Sequence, residues 1–229
     1  MRFKNISTAL LIPVLAYLIA GCASTHQNTV PGEEIKAQGW EQRGNAFLFD
    51  ITVNRDGKKN SARLDLYQRG DSLSFFARGY LGKGALKGLL SADSVVVYFP
   101  TAGEYYGGRL GALLADTCGG GQNLEQLLLD MFRELPTMSD LPSDLSLKIL
   151  EDGKRLKRFE LVSTKCPARM GLRYDFRDKQ FILSYFDFAT SDNSFRFEAE
   201  RRNYRLNIKI PEDKFQINIP ETAARIYPR

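Results

Sequence analysis

What most constrains the fold is a long succession of strand-length segments with alternating polarity, cut by turn residues. Phe47, Phe49, Ile51 and Val53 alternate with Leu48, Asp50 and Thr52; Asp56-Gly57 then supplies a tight turn, and Arg63–Gln68 returns. A period of two puts one set of side chains on a core face, and Asp-Gly between two such runs signals a hairpin. Gly70-Asp71 turns into Leu73–Tyr80, Ser94–Pro100 is a Val-rich run, and Glu104–Gly107 pairs back across Thr101-Ala102-Gly103. A second series starts with Leu145, Leu147 and Ile149, turns at Asp152-Gly153 and returns over Arg158–Ser163. Gly171–Phe176, Phe181–Phe188, Ser194–Glu200, Tyr204–Ile210 and Phe215–Ile219 complete it. About ten or eleven strands, mostly joined by short turns, predict a mainly β protein with few helices: an antiparallel meander in one large curved sheet or barrel.

Asn123–Leu135 is the clear helix, preceded by Gly119-Gly120-Gly121, capped by Asn123 and stopped by Pro136. Leu124, Leu127, Leu128, Met131, Phe132 and Leu135 form a single apolar stripe at helical spacing. Ile35–Trp40 reads as a second, short helix. The run Phe181–Phe188 is apolar on both faces, with Ile182, Phe186 and Phe188 pointing one way and Phe181, Leu183 and Tyr185 the other. One face of such a sheet normally meets water, so something covers the second face. The striped helix is one candidate and a lipid-sized ligand another. Leu124, Leu127, Leu128, Met131, Phe132, Phe186 and Phe188 are therefore the candidate lid and cavity residues.

The N-terminus reads as a targeting segment. Arg2 and Lys4 form a basic start, Ala9–Ala20 an apolar run, and Ile19-Ala20-Gly21-Cys22 resembles a bacterial lipobox. A plain secretory signal or a short anchor with a chance cysteine is the alternative. The lipobox implies cleavage before Cys22, a diacylglyceryl thioether on that residue, and anchorage to membrane lipid. Ala23, where an Asp would favour the inner membrane, points to the outer membrane. The expected organisation is a signal peptide over 1–21, a lipidated tether over 22–34 and one β domain over 35–229.

With Cys22 modified, Cys118 and Cys166 remain. An envelope compartment permits their one possible disulfide, which would close a loop of about 50 residues for about 4 kcal/mol in the chain-entropy model; two unpaired buried thiols are the alternative. Neither has a second Cys or His at zinc-ligand spacing. His26, the one histidine, lies in the tether, which leaves the β domain without the imidazole that Ser-His-Asp and Cys-His catalysis need. The formal net charge of +5 is weak, and acids and bases interleave, as in Glu198-Ala199-Glu200-Arg201-Arg202, so a solvated face is expected rather than a nucleic-acid footprint. Glu33-Glu34 and Asp175/Asp178 read as surface turns. No enzyme activity, metal or cofactor is expected.

Together the strands and the anchor resemble the lipoprotein-carrier superfamily (LolA/LolB-like proteins), the periplasmic carrier and outer-membrane receptor of lipoprotein localisation. The resemblance spans roughly Trp40–Pro220 and is carried by Tyr80-Leu81-Gly82, Ser94–Pro100, Glu104-Tyr105-Tyr106-Gly107-Gly108 and Phe215–Pro220. It implies an unclosed half-barrel of about eleven strands with a helix lid. It also implies that acyl chains or lipoproteins occupy the apolar cavity at the periplasmic face of the outer membrane. Leu81 matches the receptor's membrane-insertion residue, whereas Lys83–Leu90, with its two lysines and extra glycines, departs from the expected continuous strand. The alternative function is a scaffold lipoprotein that binds an envelope protein partner and has a filled core.

Overall fold

The computed structural model describes residues 35–36, 43–79, 84–110, 112, 124–141, 143–164 and 168–227. The expected signal peptide and tether, with Cys22 and His26, and also Leu81, Cys118 and Cys166, lie outside them.

Alternating apolar residues build the strands β1 (Ile35–Lys36), β2 (Arg43–Arg55), β3 (Lys58–Arg69), β4 (Ser72–Arg78), β5 (Gly84–Ser91), β6 (Val95–Phe99) and β7 (Glu104–Gly108). The helix α1 (Leu124–Asp130) follows. The second series comprises β8 (Leu145–Asp152), β9 (Leu156–Ser163), β10 (Ala168–Arg177), β11 (Gln180–Thr190) and β12 (Phe195–Lys209), and the short strands β13 (Gln216–Ile217) and β14 (Ala224–Arg225) end the chain. One curved, unclosed sheet of 12 strands has the order β14-β7-β6-β5-β4-β3-β2-β12-β11-β10-β9-β8. Every pair in it is antiparallel except the edge pair β14–β7. The first and second halves of the chain meet where β2 pairs with β12.

Register defines two faces, because residues directly opposite each other share a face. On the inner face one row runs Leu147, Leu161, Met170, Phe188, Phe197, Val53 from β8 to β2. Another runs Tyr106, Val97, Gly88, Phe75, Leu66, Phe47 from β7 to β2. These rows, with α1, make one continuous core. Gly88 belongs in its row because the Phe75 ring lies over it; a Cβ there would fall 1.9 Å from Phe75 Cζ.

The outer face is divided. After β12 the chain crosses it as a strap, in which Ile210, Phe215 and Ile217 bury against Leu89 and Val96. Arg69, 5% exposed, pairs with Glu212 at 2.7 Å and lies 4.2 Å from the Phe215 ring centre. That hydrogen bond holds the Glu212 carboxyl below the usual carboxylate range. Over β9–β12 the outer face carries interleaved charges, including Arg169–Glu160 at 3.3 Å and Arg196–Glu198 at 2.9 Å.

Four expectations are corrected. Ile35–Lys36 is extended and pairs with β13 instead of opening a helix. Gly84–Ser91 is a full strand, β5, despite its glycines. Ser194–Glu200 and Tyr204–Ile210 are one bulged strand, with register shifts between Arg201/Asn203 and Arg205/Ile208. The two faces of β11 are reassigned by a bulge: Arg173 pairs with Tyr185 and Tyr174 with Leu183, leaving Ser184 as the extra residue. Leu183 and Phe181 therefore share the inner face with Phe186 and Phe188. Ser184 Oγ donates to the Arg173 carbonyl at 3.0 Å, and the buried Arg201 donates to the carbonyls of Ile182 and Leu183 at 3.0 and 2.6 Å.

Where β2 begins, a Cβ on Gly44 would fall 2.2 Å from the Gln68 carbonyl oxygen. Gly44→Ala should therefore lower stability by about 1–3 kcal/mol in urea denaturation; an unchanged midpoint would contradict this close approach.

Candidate functional site

The inner face is the candidate site, and α1 with the turn after it is its plug. The helix is shorter than the expected Asn123–Leu135. Beyond Asp130 the chain tightens, with the amides of Phe132 and Arg133 bonding three residues back to Leu129 and Asp130 at 3.3 and 2.8 Å. Pro136 has no amide to extend the ladder.

Leu127, Met131 and Phe132 of the stripe are buried, while Leu128 is half-buried against the same core. Leu129, outside the stripe, is fully buried at 0% exposure. Leu124 starts the helix. Phe132 stands in the middle of an aromatic cluster, its ring centre 5.7 Å from Phe47, 6.2 Å from Phe49 and 6.0 Å from Phe186. Phe186 in turn packs on Phe49 at 5.4 Å and Phe197 at 5.5 Å. Phe188, half-buried, lies against Phe195 at 6.1 Å. The structure thus brings Phe132 and Phe186 into contact and sets Phe188 in the same inner-face core.

Few polar bonds hold the plug. Tyr174 Oη, on β10, donates to the Met131 carbonyl at 3.1 Å in a buried setting. Glu125, 5% exposed, accepts the Leu110 amide at 2.6 Å. Arg133 reaches Asp71 at 2.8 Å and also donates to the Gly70 carbonyl. Tyr174, Leu129 and Glu125 were missed at the sequence level. Tyr174 sits in phase with Leu172 on the inner face, which was the available signal; nothing in the stripe marked Leu129.

Burial fades toward the β8 edge. Ile149 lies opposite Phe159, which is 6% exposed, yet Ile149 itself is 59% exposed. Phe176, opposite Phe181, is 43% exposed. Lys157 Nζ lies 5.1 Å from the centre of the Phe181 ring. The inner-face apolar rows thus run out from under the plug to an open margin, beside which Lys157 pairs with Asp152. Chemically, this arrangement presents a strip of apolar side chains that is covered in its middle and open at the β8 margin. Among the described residues, no helix is long and apolar enough to cross a membrane.

No protein-family model matches the chain, and neither does any curated protein sequence. Among solved structures the fold is similar to that of a DUF1329 family protein from Desulfovibrio piger, at 11% identity over 76% of this chain and 90% of that one, with a TM-score of 0.46. It is also similar to a LolA superfamily protein from Nitrosomonas europaea, at 11% identity over 77% and 91%, TM-score 0.35. The Pseudomonas aeruginosa MucA/MucB complex is similar at 10% identity over 76% of this chain and 56% of that chain, TM-score 0.36. Likenesses this distant do not extend to ligand or function.

Phe132→Ala should cost about 3–5 kcal/mol in urea denaturation, since three rings lose their common neighbour. Burial raises the pKa of the Tyr174 hydroxyl above the ordinary 10.0. The folded chain then keeps a proton that the unfolded chain releases, so this contribution is intact below about pH 10 and lost as pH rises beyond it. Wild-type stability should accordingly fall more steeply above about pH 10 than that of Tyr174→Phe; equal slopes would contradict the burial of this hydroxyl.

Proposed function

We propose that the protein is a lipoprotein anchored through Cys22 at the periplasmic face of the outer membrane, whose inner face binds acyl chains, free or carried on lipoproteins. The observation that carries this reading is the set of apolar rows that leave the plug and reach the exposed Ile149 and Phe176. An acyl chain laid along them leaves water at one end and meets the plug at the other. Each buried methylene contributes about 0.8 kcal/mol, and re-exposing Leu127, Leu129 and Phe132 costs about 1.5–3 kcal/mol each. For a chain of about ten methylenes these terms nearly offset, which keeps capture reversible, as a transfer step requires. Proton transfer plays no part in it.

The same reading extends to Leu81 as the residue that enters the membrane and to a disulfide between Cys118 and Cys166. Intact-mass analysis of protein extracted from membranes, with and without reductant, reads both the Cys22 lipid and the disulfide.

A second reading, a scaffold that holds an envelope protein, is favoured by one observation: β8 ends the sheet and exposes Ile149 and Leu150. An edge of this kind can pair with an added strand. Delipidated protein titrated with a fluorescent acyl probe separates the two. Saturable binding that Ile149→Asp weakens about tenfold, with the melting temperature unchanged, supports acyl binding. Absence of saturable binding overturns it and leaves the scaffold.

A further inference from the structure

On the outer face, away from the plug, a groove of about 440 Å³ opens between β3, β4, β5 and the strap. Its floor is the cross-strand row Asp65, Phe76, Lys87, in which each residue lies directly opposite the next. The Arg78 guanidinium lies 5.8 Å from the centre of the Phe76 ring and the Lys87 ammonium 6.0 Å from it. Tyr67 and Ile217 add apolar wall, and Asp213, Lys214 and Gln216 of the strap line the rim.

The charges do not cancel. Asp65 is paired with Arg78, and Asp213 with Lys214 at 3.3 Å. Lys87 is exposed and, among the described residues, makes no ion pair. Arg78 is paired with Asp65 through Nη2 alone, and its side chain stays 41% exposed, so the guanidinium, with five N–H donors, keeps donors to offer. A part-exposed guanidinium, a free ammonium and an aromatic ring close to both suit a phosphate with a small organic body attached.

The N-terminal chain arrives at this rim. Ile35 lies opposite Ile217 and Lys36 opposite Gln216, both lining residues of the groove. From Cys22 to Ile35 the chain spans at most about 45 Å when fully extended. An anchor at Cys22 therefore keeps the groove within reach of the bilayer surface. Resting on the lipid-anchor reading for its location, but on the groove alone for its chemistry, the geometry points to a new site: we propose that Arg78 and Lys87 bind the phosphate of an anionic lipid headgroup. The groove would then orient the domain on the membrane, which a tether alone does not do.

The test uses the mature chain with Cys22→Ser, which carries no lipid whatever the native protein carries, so that groove and anchor fail separately. Co-sedimentation is measured with phosphatidylcholine vesicles and with vesicles containing phosphatidylglycerol, at fixed salt. Lys87→Glu and Lys87→Gln are compared with Lys59→Glu, the same charge reversal on the β2–β3 hairpin, and each variant's melting temperature is recorded. Expected are binding that requires phosphatidylglycerol, a loss of about tenfold for Lys87→Glu, a smaller loss for Lys87→Gln and little change for Lys59→Glu. Equal binding to both vesicles, equal losses at Lys59 and Lys87, or saturable binding of inorganic phosphate without vesicle binding would each overturn the proposal.

Discussion

The fold is governed by the need to cover one broad apolar face. Eleven antiparallel strands present inner rows of Leu, Met, Phe and Val from β8 to β7. Left flat, such a sheet would expose them to water at about 25 cal/mol per Å² of apolar surface. Curvature turns the rows toward one another, and a seven-residue helix with its following turn fills the middle. Phe132 touches rings from β2 and β11. The segment that completes the core therefore occupies the surface on which we propose that acyl chains bind. Under that proposal stability and binding compete for the same surface.

The outer face solves its burden in two other ways. Over β3–β6 the strap supplies apolar cover, pinned by Arg69 between Glu212 and Phe215. Over β9–β12 the surface is charged and needs no cover. Arg201 links the two problems. The bulge at Ser184 releases the carbonyls of Ile182 and Leu183, Arg201 takes both, and its guanidinium lies 4.8 Å from the centre of the Tyr204 ring. Burial lowers its pKa from the usual arginine value, with Asp175 at 3.6 Å opposing that effect. The bulge in turn sets Leu183 and Phe181 on the inner face, which lengthens the apolar rows toward the open margin.

The strands were legible in the sequence where period-two alternation and turn residues agreed, as in β2, β3, β9 and β10. β5 was obscured because Gly84 and Gly88 weaken the strand signal, while their value lies in long-range packing such as the Phe75 ring over Gly88. The reversal within β11 was hidden for a related reason: a one-residue bulge leaves no mark in composition yet shifts every later side chain to the opposite face. The bulges of β12 likewise made one strand read as two. In α1 the stripe found Leu127, Met131 and Phe132, but Leu129 is buried because so short a helix is packed on more than one side. The outer groove was invisible, since Asp65, Phe76, Lys87 and Gln216 meet only through strand register and the returning strap.

The central claim is that plug and acyl chain exclude each other on the inner face. Hydrogen–deuterium exchange of the amides from Leu127 to Phe132, with and without saturating acyl probe, tests it most directly. Faster exchange in this segment on binding, with β2 and β3 unchanged, is the predicted result. Unchanged or slower exchange there, under saturating probe, would contradict the account.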